Sequence, residues 1–157
     1  MTTFTHTERV KCPEVWGPDA HVTLRAIIRE EAQTGPSVLL LHGAGHNSLV
    51  WCRSAFGLAR RGFRVFAYDF RGHGETTVGE CNQHPGVVTE QASGSDVNIA
   101  DDFAGQIDMS MAALVSDTHV ILKHIVEKYG PKDRSASQEN RVAIVGHSLG
   151  GAVAVRT

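Results

Sequence analysis

Two short apolar runs, each opening at once into a glycine-rich turn, restrict this chain more than any other feature. "SVLLL" (Ser37–Leu41) leads into "HGAGHN", and "RVAIV" (141–145) leads into "GHSLGG" (146–151). Such runs lack an amphipathic period and are too short for a buried helix. They suit strands buried on both faces, as in a parallel sheet flanked by helices.

The remaining segments extend this pattern. "VTLRAIIR" (22–29) mixes β-branched and polar residues and suits an outer strand. Residues 48–61 suit a helix with Ser48 as N-cap and Gly62 as its stop. "FRVFAYDF" (63–70) is the next strand, and "RGHGET" is the turn that leaves it. Met111, Leu114, Val115, Thr118, Ile121, Leu122, Ile125 and Tyr129 recur at the three-and-four spacing of one helix face, which Gly130 and Pro131 end. A further helix starts after Ser148. The alternation predicts an α/β fold whose consecutive strands are parallel, with right-handed crossovers and helices on both faces.

Composition removes several classes of function. The chain has 157 residues, 41 % hydrophobic and 20 % charged, with a net charge of -2 and its cations dispersed, so no basic face is predicted and nucleic acid is not an expected partner. No apolar run approaches a membrane span, and the first residues lack the apolar core of a signal peptide, so an unanchored cytoplasmic protein is expected, with the nucleus as a second compartment. Cys12, Cys52 and Cys81 are odd in number and far apart, so reduced thiols are expected. His119 and His124 are five apart and point in different directions on a helix; His42 and His46 flank glycine in a loop, so no metal site is expected. No Lys or Arg occurs from Gly72 through Leu122, while Glu75, Glu80, Glu90, Asp96, Asp101, Asp102, Asp108 and Asp117 do. Within this stretch, 79–107 is expected to be a flexible, solvated acidic insertion; docking on a basic partner surface is the sharper alternative.

The chemistry concentrates at Ser148. In G-x-S-x-G the serine occupies a sharp strand-to-helix turn that exposes its hydroxyl, and Gly146 and Gly150 take the places where side chains would collide. Gly151 is expected to add room for helix against strand. His147 is expected to pack beside the serine and take no catalytic part. Attack on an ester carbonyl creates an oxyanion, which needs two backbone N–H donors. Leu149, following the nucleophile, supplies one; Ala44, in the loop formed by His42, Gly43, Ala44 and Gly45, supplies the other. Asp69 is expected to hold the "RGHG" turn by hydrogen bonds. Neither glycine loop suits nucleotides: "HGAGHN" lacks the P-loop Lys and Ser/Thr, and no G-x-G-x-x-G follows a strand.

"LLLHGAGHNSLVW", "DFRGHGET" and "GHSLGGAVAVR" together resemble the α/β-hydrolase fold and, within it, the protein phosphatase methylesterase 1 family. The resemblance covers most of 35–156 outside the acidic stretch, and "HGAGH" with "HGET" is its discriminating pair. It implies a serine carboxylesterase that removes the methyl ester from the C-terminal leucine of the type 2A protein phosphatase catalytic subunit, its partner, without metal or organic cofactor. Ser148 matches the family's nucleophile. The triad acid and histidine follow the serine in this fold, and "LGGAVAVRT" contains neither. The expectation is therefore a partial α/β-hydrolase domain over 1–157, the N-terminal portion of a mostly parallel sheet cut after the nucleophile elbow, poorly stable and inactive alone. Its rivals are another α/β-hydrolase acting on small esters or lipids, and a non-catalytic module that keeps the scaffold to bind a partner.

Overall fold

A computed structural model of the chain describes residues 4–11, 20–76, 107–130 and 141–157. Residues 79–106 of the expected acidic insertion, Cys12, Cys81 and Pro131 lie outside the described residues; Cys52 is a free, partly buried thiol. Along the chain come β1 (His6–Lys11), β2 (His21–Ile27), β3 (Ser37–Leu41), α1 (Cys52–Ala59), β4 (Arg64–Tyr68), α2 (Met111–Tyr129), β5 (Val142–Gly146) and α3 (Leu149–Ala154).

The strands form one sheet in the order β1-β2-β4-β3-β5. β3 pairs in parallel with β4 on one side and with β5 on the other, Leu41 lying opposite both Tyr68 and Gly146. Central β3 is buried at all five positions, and its side chains alternate between two cores. Leu39 and Leu41 join Phe66 and Tyr68 beneath Leu114, Ile121 and Ile125 of α2 and Val153 of α3. Val38 and Leu40 join Val65 and Ala67 beneath Ala55 and Ala59 of α1. Burying each leucine contributes roughly 1.5–3 kcal/mol, which explains why the run is apolar throughout. Helices thus cover both faces, as the sequence predicts.

The expectation that consecutive strands run parallel holds only for the β3, β4 and β5 part. β1 pairs antiparallel with β2, and β2 antiparallel with β4. A parallel neighbour requires a long crossover. Between β2 and β3 the chain has only a 3-10 turn, Glu30–Ala32, so it reverses instead. β1, unforeseen in the sequence, buries Val10 alone among its six residues and shows no apolar pattern. It is held by polar contacts across α2: Glu8 Oε1 accepts from the Tyr129 hydroxyl at 2.8 Å and pairs with His124 Nε2 at 3.1 Å, and Glu8 Oε2 pairs with Lys128. Burial tends to raise the Glu8 carboxyl, but bonds from Lys128, Tyr129 and His124 outweigh it and hold the group below its ordinary value.

β5 also departs from expectation. Instead of being buried on both faces, it alternates, with Ala143 and Val145 exposed and Val142 and Ile144 turned to the core. Among the described residues no helix covers its second face and no strand lies beyond it. The first helix enters through a 3-10 turn, Ser48–Trp51, and its cap is Asn47, whose side chain accepts from Leu49 N–H; Ser48 is buried for another purpose. At α2 the Ser110 hydroxyl accepts from Ala113 N–H at 3.2 Å. Ser110→Ala is expected to cost about 1 kcal/mol, read as a lower urea midpoint at unchanged slope.

Candidate active site

β5 ends at Gly146 and α3 starts at Leu149, which leaves two residues to turn the chain. Ser148 takes the strain, with φ 53° and ψ -118°, and is the one non-glycine residue with positive φ among those described. Such a conformation costs on the order of 1–3 kcal/mol and persists only where its surroundings fix it. They do so by close approach. A Cβ on Gly146 would lie 2.2 Å from the Gly150 carbonyl oxygen, and one on Gly150 would lie 2.3 Å from that of Leu41. His147 N–H donates to the Leu41 carbonyl at 3.0 Å, tying the turn to the end of β3. Ser148 is exposed, and no described histidine bonds to its hydroxyl. Gly151 differs from expectation: a Cβ there would meet nothing nearer than 3.5 Å, so the helix has its room without it. His147 is exposed, not packed; its ring stands edge-on to that of His46, centroids 6.4 Å apart.

The loop after β3 lies directly against this turn. A Cβ on Gly43 would sit 3.0 Å from His147 Nδ1 and 3.3 Å from the Ser148 Cβ, so glycine lets the two segments meet without either side chain giving way. Ala44 and Gly45 follow at the surface, and Leu149 begins α3 on the other side of Ser148. An N–H at the first turn of a helix has no partner within the helix and is free to meet a ligand. Gly45, at φ 72°, turns the loop outward.

His42 is wholly buried beneath this loop. Its Nδ1–H donates to the Gly43 carbonyl at 2.8 Å, and its Nε2 accepts from Phe70 N–H at 3.0 Å. Both ring nitrogens are used, so His42 has no lone pair left for a metal. Burial pushes its pKa down; the Gly43 bond and Asp69 oppose this, while His73 and His46 add to it. The folded chain therefore holds this proton less readily than the unfolded one, and stability rises with pH across the interval. Unfolding midpoints are expected to be level above the ordinary value of 6.5 and to fall as pH drops below it toward the folded-state value, with His42→Asn flattening the decline. Glu8, also depressed, contributes in a lower window, losing its share as pH falls below 4.5.

Asp69 lies at the neighbouring strand end, fully buried. Its carboxylate accepts from Ser48 N–H at 2.7 Å, the Ser48 hydroxyl, Glu75 N–H at 3.0 Å and Arg25 Nη1 at 3.3 Å. Gly74 is required beside it, since a Cβ there would lie 2.3 Å from Asp69 Oδ2. With its oxygens so engaged, Asp69 holds the turn, as the sequence suggests. Sequence reasoning missed its partners Arg25 and Ser48. It also missed Arg71, whose guanidinium grips Asp117 of α2 through Nε at 2.8 Å and Nη2 at 2.7 Å, and whose Nη1 donates to the Asp108 carbonyl.

With this geometry in place, likeness to other proteins becomes informative. The family model described as "Alpha/beta hydrolase family" matches residues 38–157. "Protein phosphatase methylesterase 1" of Mus musculus is 28 % identical over 131 residues, covering 83 % of this chain and 25 % of the relative. "Probable protein phosphatase methylesterase 1" of Caenorhabditis elegans is 33 % identical over 124 residues, covering 78 % of this chain and 25 % of its own. The chain thus spans about a quarter of the length of these curated relatives. Among solved structures, a thioesterase domain from the curacin biosynthetic pathway superposes with TM-score 0.59 at 18 % identity, over 96 % of this chain and 38 % of that one. A laboratory-evolved potato epoxide hydrolase gives TM-score 0.59 at 24 % identity, over 96 % and 34 %.

Proposed function

Because the chain belongs to the alpha/beta hydrolase family, we propose that it carries the nucleophile and oxyanion donors of a serine carboxylesterase. The observation that carries this reading is Ser148, exposed at positive φ with Gly43 against its Cβ. Ser148 is the nucleophile. A histidine base, held by an acid, removes its proton; in this fold both follow the serine in chain order. The hydroxyl oxygen attacks the ester carbonyl, and the oxyanion rests on the Ala44 and Leu149 N–H groups. The histidine returns the proton to the departing alkoxide, and water then releases the acid from Ser148. These steps use side chains, main-chain amides and water.

The proposed substrate is the methyl ester on the C-terminal leucine of the type 2A protein phosphatase catalytic subunit, with methanol leaving and the cytoplasm as the place of reaction. Supporting it are the names of the relatives from mouse and nematode and the "HGAGH" and "HGET" segments, which lie side by side, Gly45 N–H donating to His73 Nε2.

The test is to treat the intact protein with a fluorophosphonate probe. Labelling of Ser148 that vanishes in Ser148→Ala is expected; a probe that ignores Ser148 would refute the esterase. Methylated phosphatase is expected to be hydrolysed in preference to short acyl esters, and the reverse would assign a general esterase. Phosphatase binding without any labelling would assign a non-catalytic module.

A further inference from the structure

Two peptide groups flank Ala44, and together they offer four polar atoms. Three are engaged. The Gly43 carbonyl accepts from His42 Nδ1–H at 2.8 Å and from His46 N–H at 3.2 Å. The Ala44 carbonyl accepts from His46 Nδ1–H at 3.0 Å. Gly45 N–H donates to His73 Nε2 at 3.4 Å. The fourth, Ala44 N–H, makes no bond with any described residue. In a trans peptide the N–H points opposite to the C=O. Fixing the Gly43 carbonyl toward His42 therefore fixes the Ala44 N–H to point away from it.

The two histidines doing this are wired alike. His42 donates from Nδ1 to a carbonyl of its own loop and accepts at Nε2 from Phe70 N–H, which belongs to the segment after β4. His73 donates from Nδ1 to the Arg71 carbonyl at 2.9 Å and accepts at Nε2 from Gly45 N–H, which belongs to the loop after β3. Each ring thus bridges the two strand ends in the opposite sense, and their centroids are 5.2 Å apart. An Nε2 that accepts from an N–H cannot carry a proton, so these contacts select the Nδ1–H tautomer of each ring.

We propose that His42 and His73 are positioning residues that aim the Ala44 N–H by holding the peptide on each side of it, the Nδ1–H tautomer of both rings being the working form. Neither touches the substrate. This rests on the esterase reading for what the amide is aimed at, but the hydrogen-bond arrangement can be tested without it.

The experiment uses the intact protein labelled with nitrogen-15. Ring-nitrogen shifts are expected to show Nδ1–H on both histidines, with scalar coupling across the hydrogen bond from Phe70 N to His42 Nε2. The variants are made at half-buried His73, where a substitution disturbs the core less than at wholly buried His42. His73→Leu is expected to shift the Ala44 amide resonance and speed exchange of the Gly45 amide; His73→Gln, which keeps an acceptor for Gly45 N–H, restores both. Phenylboronic acid, whose tetrahedral adduct with Ser148 places an oxygen where the oxyanion forms, is expected to bind about tenfold more weakly to the leucine variant, as for a displaced donor, and normally to the glutamine variant. A proton on Nε2 of either ring, or leucine and glutamine variants that behave alike, would overturn the proposal. If the intact protein shows the tautomers and amide responses but takes no phenylboronic acid, the esterase reading fails and the positioning stands.

Discussion

Gly150→Ala is expected to lose about 3 kcal/mol or more of folding stability, the upper range for forcing an atom into a packed site. The new Cβ would lie 2.3 Å from the Leu41 oxygen and 2.6 Å from that of His42, both main-chain atoms of the central strand end, which cannot turn aside like a long side chain. Relief requires α3 to lift from β3, and the first casualty is the Ser148 conformation. Gly151→Ala is the control. It is the adjacent residue in the same helix, its Cβ would meet only ordinary contact at 3.5 Å, and it should stay within about 1 kcal/mol of the unsubstituted chain. Urea unfolding of the two variants compares a clash with a bare change of residue. Equal midpoints would mean that α3 does not approach β3 as described.

The second large effect is expected at Asp117. Both it and Arg71 are almost fully buried, and the guanidinium is bound by both carboxylate oxygens. Asp117→Ala strands a buried cation and is expected to cost about 3–5 kcal/mol. Replacing the pair together, Arg71→Met with Asp117→Leu, removes the charge along with its partner, and much of that loss should return. A double variant no more stable than Asp117→Ala would show that the bond from Arg71 to the Asp108 carbonyl, and not the ion pair, holds the turn to α2.

How much of this was legible in the sequence follows the range of the interactions. β3, the elbow and α2 are written in contiguous residues: an unbroken apolar run, glycines at fixed offsets, an unbroken three-and-four period. Each can be read without knowing what else the chain does. β1 could not, because its contribution lies in Glu8 meeting His124, Lys128 and Tyr129, over a hundred residues away. Asp117 is the sharpest case. In the sequence it counts among the acids of a stretch without cations, and that count names no partner for it. Its cation is Arg71, the residue immediately before the stretch begins, and a composition window that starts at Gly72 excludes it. Ser48 was read as a helix cap from its residue type, but Asn47, one position earlier, caps the turn and leaves the serine free to bind Asp69. His147 and Gly151 show the limit of motif reasoning: position in a motif gives their place on the turn but not which of them the packing requires.

A single anion collects donors from Arg25 on β2, which lies between β1 and β4 and is not the outer strand its mixed residues suggest, from a helix entrance at Ser48 and from a turn at Glu75. These three pieces have no covalent reason to move as one. Sharing Asp69 makes them mechanically common: a push on any of them is felt by the others through two oxygen atoms, and the corner yields all together or not at all.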